Sequence, residues 1–279
     1  MKKIELVPGI QSSVLGFGCA SIMGARSANE SKKAISMAVD YGITHFDLAR
    51  SYGYGEAERF VGNILAKERE KFVISSKFGI KANGKAKLLS PLKPLIRVYK
   101  KIKKPKEVPS SLNSTNSVHA DRFHDRVLIR KVNMITSLEA SLKALNTDYL
   151  DYFFIHEPLE TIESIEEILE TSELLKKKGQ IKALGLAFTQ EQQILHSDYL
   201  HEFDILQFNN SPGIINYNTL IEQRGTESNI FFSPINGGST KLQPNEKLKT
   251  LHQDFPKSVI LCSTFNEKHM KQNVSLFSN

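Results

Sequence analysis

The sequence predicts a closed (β/α)8 barrel, and two observations carry this prediction. Eight short apolar runs have the composition of buried strands, and most are separated by helix-sized segments with apolar residues three and four positions apart. Alternating strands and helices form a parallel sheet that is covered on both faces. Eight such units within 279 residues favour one closed barrel over an open sheet, and no G-x-G-x-x-G motif follows a strand to support the open alternative.

The predicted strands follow one another along the chain. They cover residues 14–20, 44–47, 72–77, 149–156, 181–187, 204–208, 230–233 and 258–262, after a short N-terminal piece around residues 4–6. The first helix is expected to be capped by Ser27 or Asn29 and to end at Gly42. Further helices are predicted at about residues 56–67, 132–145 and 161–178.

The alternation is interrupted between residues 78 and 130, which is much longer than the usual connection between a strand and a helix. We therefore predict one barrel domain over residues 1–279, with residues 78–130 as an insert that forms a lid on the catalytic face. A short helix is predicted within it at residues 92–99.

The positive charge of the chain is concentrated in this insert. Residues 81–106 contain ten lysines and arginines and no acidic residue. The positive charge of this segment exceeds the net charge of +7 of the whole chain, so the rest of the chain is net acidic. Such a run is most often a solvated surface, and the alternative is that it attracts cofactor phosphates or an anionic substrate. Tyr99 is the one aromatic residue in the run, which argues against nucleic acid binding.

No segment of the sequence is typical of a secreted or membrane protein. No apolar run follows the basic start, and no stretch of about 18 apolar residues is present. Cys19 and Cys262 fit no metal or redox spacing, so we expect two free thiols and a cytoplasmic location. Because the first and last strands of a closed barrel are neighbours, the thiols are expected to lie near each other.

Four polar residues lie at the ends of predicted strands or in the turn that follows one. Asp47, Lys77 and His156 each end an apolar run, and Tyr52 stands in a glycine-bounded turn five residues after Asp47. The carboxyl ends of barrel strands form the catalytic face. We therefore expect these four side chains to lie close together there.

Nearly the whole chain resembles the aldo-keto reductase superfamily. The resemblance rests on His45-Phe46-Asp47, Tyr52-Gly53, Gly55-Glu56-Ala57-Glu58, and residues 74–79, 137–156 and 179–185. It implies a (β/α)8 reductase that uses a nicotinamide cofactor on carbonyl compounds, with Asp47, Tyr52, Lys77 and His156 as its catalytic tetrad. It also implies a shortened C-terminus, because the chain ends at Asn279, where the family's substrate loop would follow.

The chemistry of this tetrad suits carbonyl reduction. A carbonyl that accepts hydride develops negative charge on oxygen, so it needs a proton donor and hydrogen-bond donors. Tyr52 is the expected general acid, and Lys77 is expected to stabilise its phenolate. Asp47 would keep Lys77 charged, and His156 would donate a second hydrogen bond that orients the carbonyl.

The resemblance implies a cofactor site with departures from the family pattern. Its expected residues are Gln207, Phe232, Ser233, Gly237, Gly238, Ser263, Thr264, His269, Gln272 and Asn273. Ser263 and His269 replace the Lys and Arg of many NADPH-preferring relatives, and Ala187-Phe188 replaces a Ser-Asn pair. NADPH is the expected cofactor as the family default, with NADH as the alternative.

The leading hypothesis is an NAD(P)H-dependent enzyme that reduces an aldehyde or ketone, or oxidises the matching alcohol, on a small sugar-like or anionic substrate. One alternative is a cofactor-binding barrel with a regulatory or partner-binding role and little turnover. A metal-dependent lyase or isomerase would need more carboxylate or histidine ligands at strand ends than this sequence offers. The oligomeric state is not indicated.

The candidate residues also have simpler interpretations. Asp47 and Lys77 could form an ion pair without a catalytic role, and Tyr54 is a rival to Tyr52 as the acid. One further cluster has metal-ligand chemistry and comprises His119, Asp121, His124 and Asp125. Because that cluster lacks cysteine and lies in a polar loop, we expect no metal there.

Overall fold

Eight parallel strands close into a barrel in the computed structural model, which describes residues 1–89 and 122–278. The strands are β1 (Leu15–Gly18), β2 (His45–Asp47), β3 (Val73–Phe78), β4 (Leu150–His156), β5 (Ile181–Phe188), β6 (Ile205–Asn209), β7 (Asn229–Phe232) and β8 (Val259–Leu261). Each strand pairs with its neighbours in the sequence, and β8 pairs with β1 to close the sheet. The predicted fold and all eight predicted strands are confirmed.

Helices follow the strands along the chain. They are α1 (Ala28–Asp40), α2 (Ala57–Leu65), α3 (Gly84–Leu89), α4 (Lys131–Leu145), α5 (Ile165–Lys177), α6 (Tyr217–Arg224), α7 (Pro244–Asp254) and α8 (Glu267–Ser275). Ser27, rather than Asn29, caps α1, and it forms a capping box with Glu30. Between β5 and β6 the connection is a 3₁₀ helix, Gln190–Glu202.

A β-hairpin precedes the barrel where the sequence indicated only a short apolar piece. Its strands, Lys3–Val7 and Ile10–Ser13, pair antiparallel around Gly9, whose φ of +81° suits glycine. Leu6 and Ile10 are buried and belong to the cluster of apolar side chains that contains Tyr152 and other residues of the barrel strands. The hairpin therefore adds apolar side chains to the core of the barrel.

The barrel interior is filled by side chains from alternate strand positions, as in other closed barrels of eight strands. Close packing requires Gly185 in β5, because a Cβ atom there would lie 2.2 Å from the ring of Phe154 in β4. His45 lies two residues before Asp47, is buried, and stacks on Tyr152 with 5.8 Å between ring centroids. Its position supports a packing role for His45.

The two ends of the insert pair with each other in a small two-stranded sheet. Residues Ile80–Ala82 pair antiparallel with His124–Arg126. The predicted helix at 92–99, most of the basic run and two members of the candidate metal cluster, His119 and Asp121, lie outside the described residues. The lid predicted for residues 78–130 lies largely outside them too.

Two further observations concern expectations about the environment of the chain. Within residues 1–89 and 122–278, no helix combines the length and the apolar character needed to cross a membrane. Cys19 and Cys262 are both buried and form no disulfide.

Candidate active site

Asp47 and Lys77 form a buried ion pair at the carboxyl end of the barrel. Asp47 ends β2, Lys77 lies near the end of the neighbouring strand β3, and the two strands pair in parallel. Lys77 Nζ lies 2.6 Å from Asp47 Oδ2, and the two residues are 2% and 3% exposed. A charge buried this deeply is costly without a partner, so each group compensates the buried charge of the other.

Tyr52 reaches this pair from the turn that follows β2. The turn Tyr52–Gly55 includes two glycines with positive φ, Gly53 at +61° and Gly55 at +84°. Lys77 Nζ lies 3.4 Å from Tyr52 Oη and 2.8 Å from the carbonyl oxygen of Leu48. The structure therefore brings the predicted acid into contact with the predicted cation.

The hydrogen-bond directions at Lys77 determine what Tyr52 can do. An ammonium group has three donors and no acceptor, and Lys77 has three acceptors around it in Asp47, the Leu48 carbonyl and Tyr52. Tyr52 therefore accepts a hydrogen bond from Lys77 and cannot donate one to it. The phenolic proton of Tyr52 is left for another acceptor.

Burial determines the protonation of Tyr52. Removal of the phenol from water, and then the charge of Asp47, raise the pKa of Tyr52 well above its usual value. Tyr52 is consequently a neutral phenol at neutral pH and retains the proton that an acid must give.

His156 completes the group from the end of β4. Its ring meets the Tyr52 ring edge to face, with 6.0 Å between centroids, and the residue is 6% exposed. Burial, and then the positive charge of Lys77, lower the pKa of His156 well below its usual value. The imidazole is therefore neutral at neutral pH and has one N–H to donate. Its buried Nδ1 has no hydrogen-bond partner within the described parts of the chain.

A second buried charge fixes the loop that carries Tyr52. Glu58 in α2 is 1% exposed, accepts a 2.6 Å hydrogen bond from the hydroxyl of Ser76 in β3, and pairs with Arg50. These contacts join the segment after β2 to the neighbouring strand. The sequence analysis included Glu58 only as part of a family motif and assigned it no contact.

The two-stranded sheet at the base of the insert also touches the site. His124 Nε2 lies 3.2 Å from the carbonyl oxygen of Ser51, and Arg126 donates a 2.7 Å hydrogen bond to the carbonyl oxygen of Glu157. This two-stranded sheet thus connects the loop that carries Tyr52 with the end of β4. No group of three or more potential metal ligands occurs in the described residues, where His124 and Asp125 lie.

Of the residues predicted to hold the nicotinamide end, Gln207 contacts the tetrad directly. Gln207 in β6 donates a 2.9 Å hydrogen bond from Nε2 to Asp47 Oδ1, and its buried Oε1 has no partner among the described residues. Phe232 ends β7 and is partly buried, and Ser233 follows with a φ of +54°. An unpaired buried carboxamide oxygen fits an amide donor such as that of a nicotinamide.

Gly237 and Gly238 lie in the loop between β7 and α7. Both have positive φ, at +81° and +62°, and no atom lies within 4 Å of the position that a Cβ of Gly237 would take. The backbone is therefore open at Gly237, as close approach of a phosphate requires. Lys247 in α7 is 6% exposed and donates hydrogen bonds of 2.9 and 2.6 Å to the carbonyl oxygens of Ile235 and Gly237.

The five remaining predicted cofactor residues form a separate group after β8. The Ser263 hydroxyl donates to the carbonyl oxygen of Gly18, and the Thr264 hydroxyl lies 3.4 Å from the carbonyl oxygen of Asn266. His269 and Gln272 are exposed on α8. Asn273 points inward and donates a 3.4 Å hydrogen bond to Cys262 Sγ, so its side chain is committed to the protein interior.

Asn210 was missed by the sequence analysis. It follows β6, is 1% exposed, and neither its side-chain nitrogen nor its side-chain oxygen has a partner among the described residues. A buried carboxamide without partners is unusual. Its position three residues after Gln207 was the signal available in the sequence.

Comparison with known proteins identifies one family. The model of the "Aldo/keto reductase family" matches residues 14–225 of the chain. Among curated proteins, D-threo-aldose 1-dehydrogenase from Pseudomonas sp. is 26% identical over 185 residues, which are 64% of this chain and 50% of that protein. The chain spans about half the length of the curated relatives it matches.

Solved structures share the same fold. The holo form of aldo-keto reductase AKR11C1 from Bacillus halodurans is 19% identical, with a TM-score of 0.70 and coverage of 100% of this chain and 91% of that one. An aldo-keto reductase from Klebsiella pneumoniae in complex with NADPH is 17% identical, with a TM-score of 0.63 and coverage of 99% and 89%. At this identity the likeness concerns the barrel itself.

Proposed function

Since the chain belongs to the aldo/keto reductase family, we propose that it is an NAD(P)H-dependent enzyme that reduces an aldehyde or ketone. The observation that supports this most strongly is the arrangement at Lys77, whose ammonium donates to Tyr52 and leaves the phenolic proton available. A proton donor held beside a fixed cation is what a carbonyl oxygen needs as it gains negative charge.

In this proposal each member of the tetrad has one task. Tyr52 gives its proton to the carbonyl oxygen, and Lys77 stabilises the phenolate that remains. Asp47 holds Lys77 charged and in place through the 2.6 Å contact. His156, as a neutral imidazole, donates its N–H to the same carbonyl oxygen and orients it. In the direction of alcohol oxidation, the same residues act in reverse and Tyr52 takes up the proton.

We propose that the cofactor residues divide into three groups. Gln207 and Phe232 hold the nicotinamide, with Asn210 as a further contact, and Gly237 and Gly238 accommodate the pyrophosphate. Ser263, Thr264, His269 and Gln272 hold the adenosine phosphate, and Asn273 supports this segment from the interior through its hydrogen bond to Cys262. When bound, the reduced nicotinamide supplies the hydride. NADPH is the proposed cofactor because a structural relative carries it, with NADH as the alternative.

Binding and turnover measured together test this proposal. We expect the fluorescence of NADPH or NADH to change on binding to the protein, and the reduced cofactor to be consumed in the presence of at least one member of a broad panel of aldehydes and ketones. Absence of binding to both cofactors would reject the proposal. Binding without turnover across the whole panel would favour the alternative, a cofactor-binding barrel with a regulatory role.

Glu157 suggests which carbonyl compounds are accepted. It follows His156 with a φ of +45°, is partly buried, and its negative charge contributes to the raised pKa of Tyr52. Burial raises the pKa of Glu157 itself. A carboxyl group beside the tetrad accepts hydrogen bonds from hydroxyl groups, so we propose a hydroxylated, sugar-like substrate. The aldose dehydrogenase among the curated relatives is consistent with this class.

Replacing Glu157 with Leu should therefore discriminate between aldehydes. We expect kcat/KM for glyceraldehyde to fall about tenfold, the value of a hydrogen bond to a charged group, while kcat/KM for propanal stays within about twofold. Glu160→Leu is the matched control, because Glu160 is an exposed acidic residue three positions further along the same loop. An equal loss for both aldehydes would show that Glu157 does not select hydroxyl groups.

A further inference from the structure

Arg26 joins the two loops that flank the closure of the barrel. It lies in the loop between β1 and α1, and its Cζ stands 4.7 Å from the centroid of the Phe265 ring, which belongs to the loop between β8 and α8. A guanidinium group over an aromatic face is attracted to it. The side chain of Arg26 is thereby held against the segment that we propose for the adenosine phosphate.

Other contacts make these two loops one surface. The Ser263 hydroxyl donates to the carbonyl oxygen of Gly18, and the Phe265 ring packs edge to face on Phe17 with 6.2 Å between centroids. The backbone N–H of Arg26 donates a 3.1 Å hydrogen bond to the carbonyl oxygen of Ser21. Arg26 is thus attached by its backbone to one loop and by its side chain to the other.

The guanidinium of Arg26 remains accessible to solvent. Its side chain is 46% exposed, and its contact with Glu30 is 3.6 Å long between two exposed groups. Ion pairs of this kind contribute little and are easily exchanged for a better partner. The stacked guanidinium still has N–H donors along its edge, and these match the geometry of phosphate oxygens.

The five residues proposed for the adenosine phosphate segment do not include a permanent cation. The hydroxyl of Ser263 is engaged with Gly18, and the amide of Asn273 is engaged with Cys262. His269 is exposed, and its charge depends on pH. A phosphate monoester carries about −1.5 to −2 charges at neutral pH, so its recognition needs a cation from elsewhere.

We propose that Arg26 supplies this cation and is the residue by which the protein distinguishes NADPH from NADH. The inference rests on the proposed function, because it assigns a contact to the cofactor of that reaction. The 2′-phosphate is the group that the two cofactors do not share, so a residue that binds it changes the affinity for NADPH alone.

The test compares the dissociation constants of NADPH and NADH, measured from the change in cofactor fluorescence on binding, for the wild type and Arg26→Gln. We expect the substitution to weaken NADPH binding about tenfold or more, as expected for the loss of hydrogen bonds to a charged group, and to leave NADH binding unchanged. Lys268→Gln is the matched control, because Lys268 is an exposed cation in the first turn of α8, and it should leave both constants unchanged.

Each result has a definite meaning. If Arg26→Gln keeps the NADPH preference of the wild type, weakens both cofactors equally, or is matched by Lys268→Gln, the inference is wrong and the proposed function stands. The same applies if the wild type binds NADH as tightly as NADPH. If the wild type binds neither cofactor, the proposed function fails, and the inference fails with it. An unchanged circular dichroism spectrum and melting temperature of Arg26→Gln exclude misfolding as the cause of weaker binding.

Discussion

Replacing Tyr52 with Phe should lower kcat for carbonyl reduction by roughly 10²- to 10⁴-fold, the usual contribution of a general acid. The substitution removes the hydroxyl that accepts from Lys77 and carries the available proton. Lys77 keeps its two other acceptors, Asp47 and the Leu48 carbonyl, so the ion pair should remain in place. Because the ring is retained, the dissociation constant of the cofactor should stay within about twofold.

Steady-state rates and the dissociation constant of the cofactor, measured on the same preparation, check this prediction. Tyr54→Phe is the matched control, since Tyr54 lies two residues further along the same turn and its ring packs edge to face on Phe123 at 5.5 Å. That variant should keep a kcat close to the wild type. Retained turnover in Tyr52→Phe would refute the assigned acid. Loss of turnover in Tyr54→Phe alone would transfer the role to its rival.

The meeting of Asp47, Lys77 and His156 could be predicted because each residue ends or nearly ends an apolar strand. Parallel strands of a barrel deliver their last residues to one face, so the order of elements determines which side chains share it. Tyr52 was predicted on the weaker evidence of its spacing in a turn. The raised pKa of Tyr52 could not be predicted, because it depends on how much water the surrounding side chains exclude.

Contacts between residues that are far apart in the sequence could not be predicted either. Arg26 and Phe265 have no common motif and meet only because closure of the barrel brings β8 beside β1. Asn210 and Lys247 resemble ordinary polar residues in the sequence, but they are 1% and 6% exposed in the folded chain. The 3₁₀ helix at Gln190–Glu202 was not predicted, because its apolar residues do not follow one helical face.

A further ion pair, between Arg69 and Asp151, is buried away from the catalytic face and is separated by 82 positions in the sequence. Arg69 Nη2 lies 2.8 Å from Asp151 Oδ2, and the side chains are 9% and 2% exposed. Arg69 also donates hydrogen bonds of 2.6 Å to the carbonyl oxygen of Phe72 and 3.0 Å to that of Tyr149. One side chain therefore connects the segment before β3 with the start of β4.

Replacing Arg69 with Met should destabilise the fold by about 3–5 kcal/mol, the usual cost of removing one partner from a buried ion pair. Asp151 would keep its 2.7 Å contact with Lys182 and its 2.9 Å hydrogen bond from the Ile74 amide. The Phe72 and Tyr149 carbonyl groups would each lose the hydrogen bond from Arg69, although Tyr149 would keep the 3.2 Å hydrogen bond from the Thr147 hydroxyl. For a chain of this size the melting temperature should fall by roughly 6–15 °C, which differential scanning calorimetry measures.

Lys71→Met provides the matched control, because it also removes one basic residue, two positions away in the same 3₁₀ helix, Ala66–Lys71. Lys71 pairs with Glu68, but the two side chains are 60% and 53% exposed. Water already screens such a pair, so this variant should have the melting temperature of the wild type. Since Asp151 lies at the opposite end of β4 from His156, Arg69→Met should keep its kcat below its melting temperature. If Arg69→Met and Lys71→Met have the same melting temperature, burial does not make the Arg69 pair more important for stability than an exposed pair.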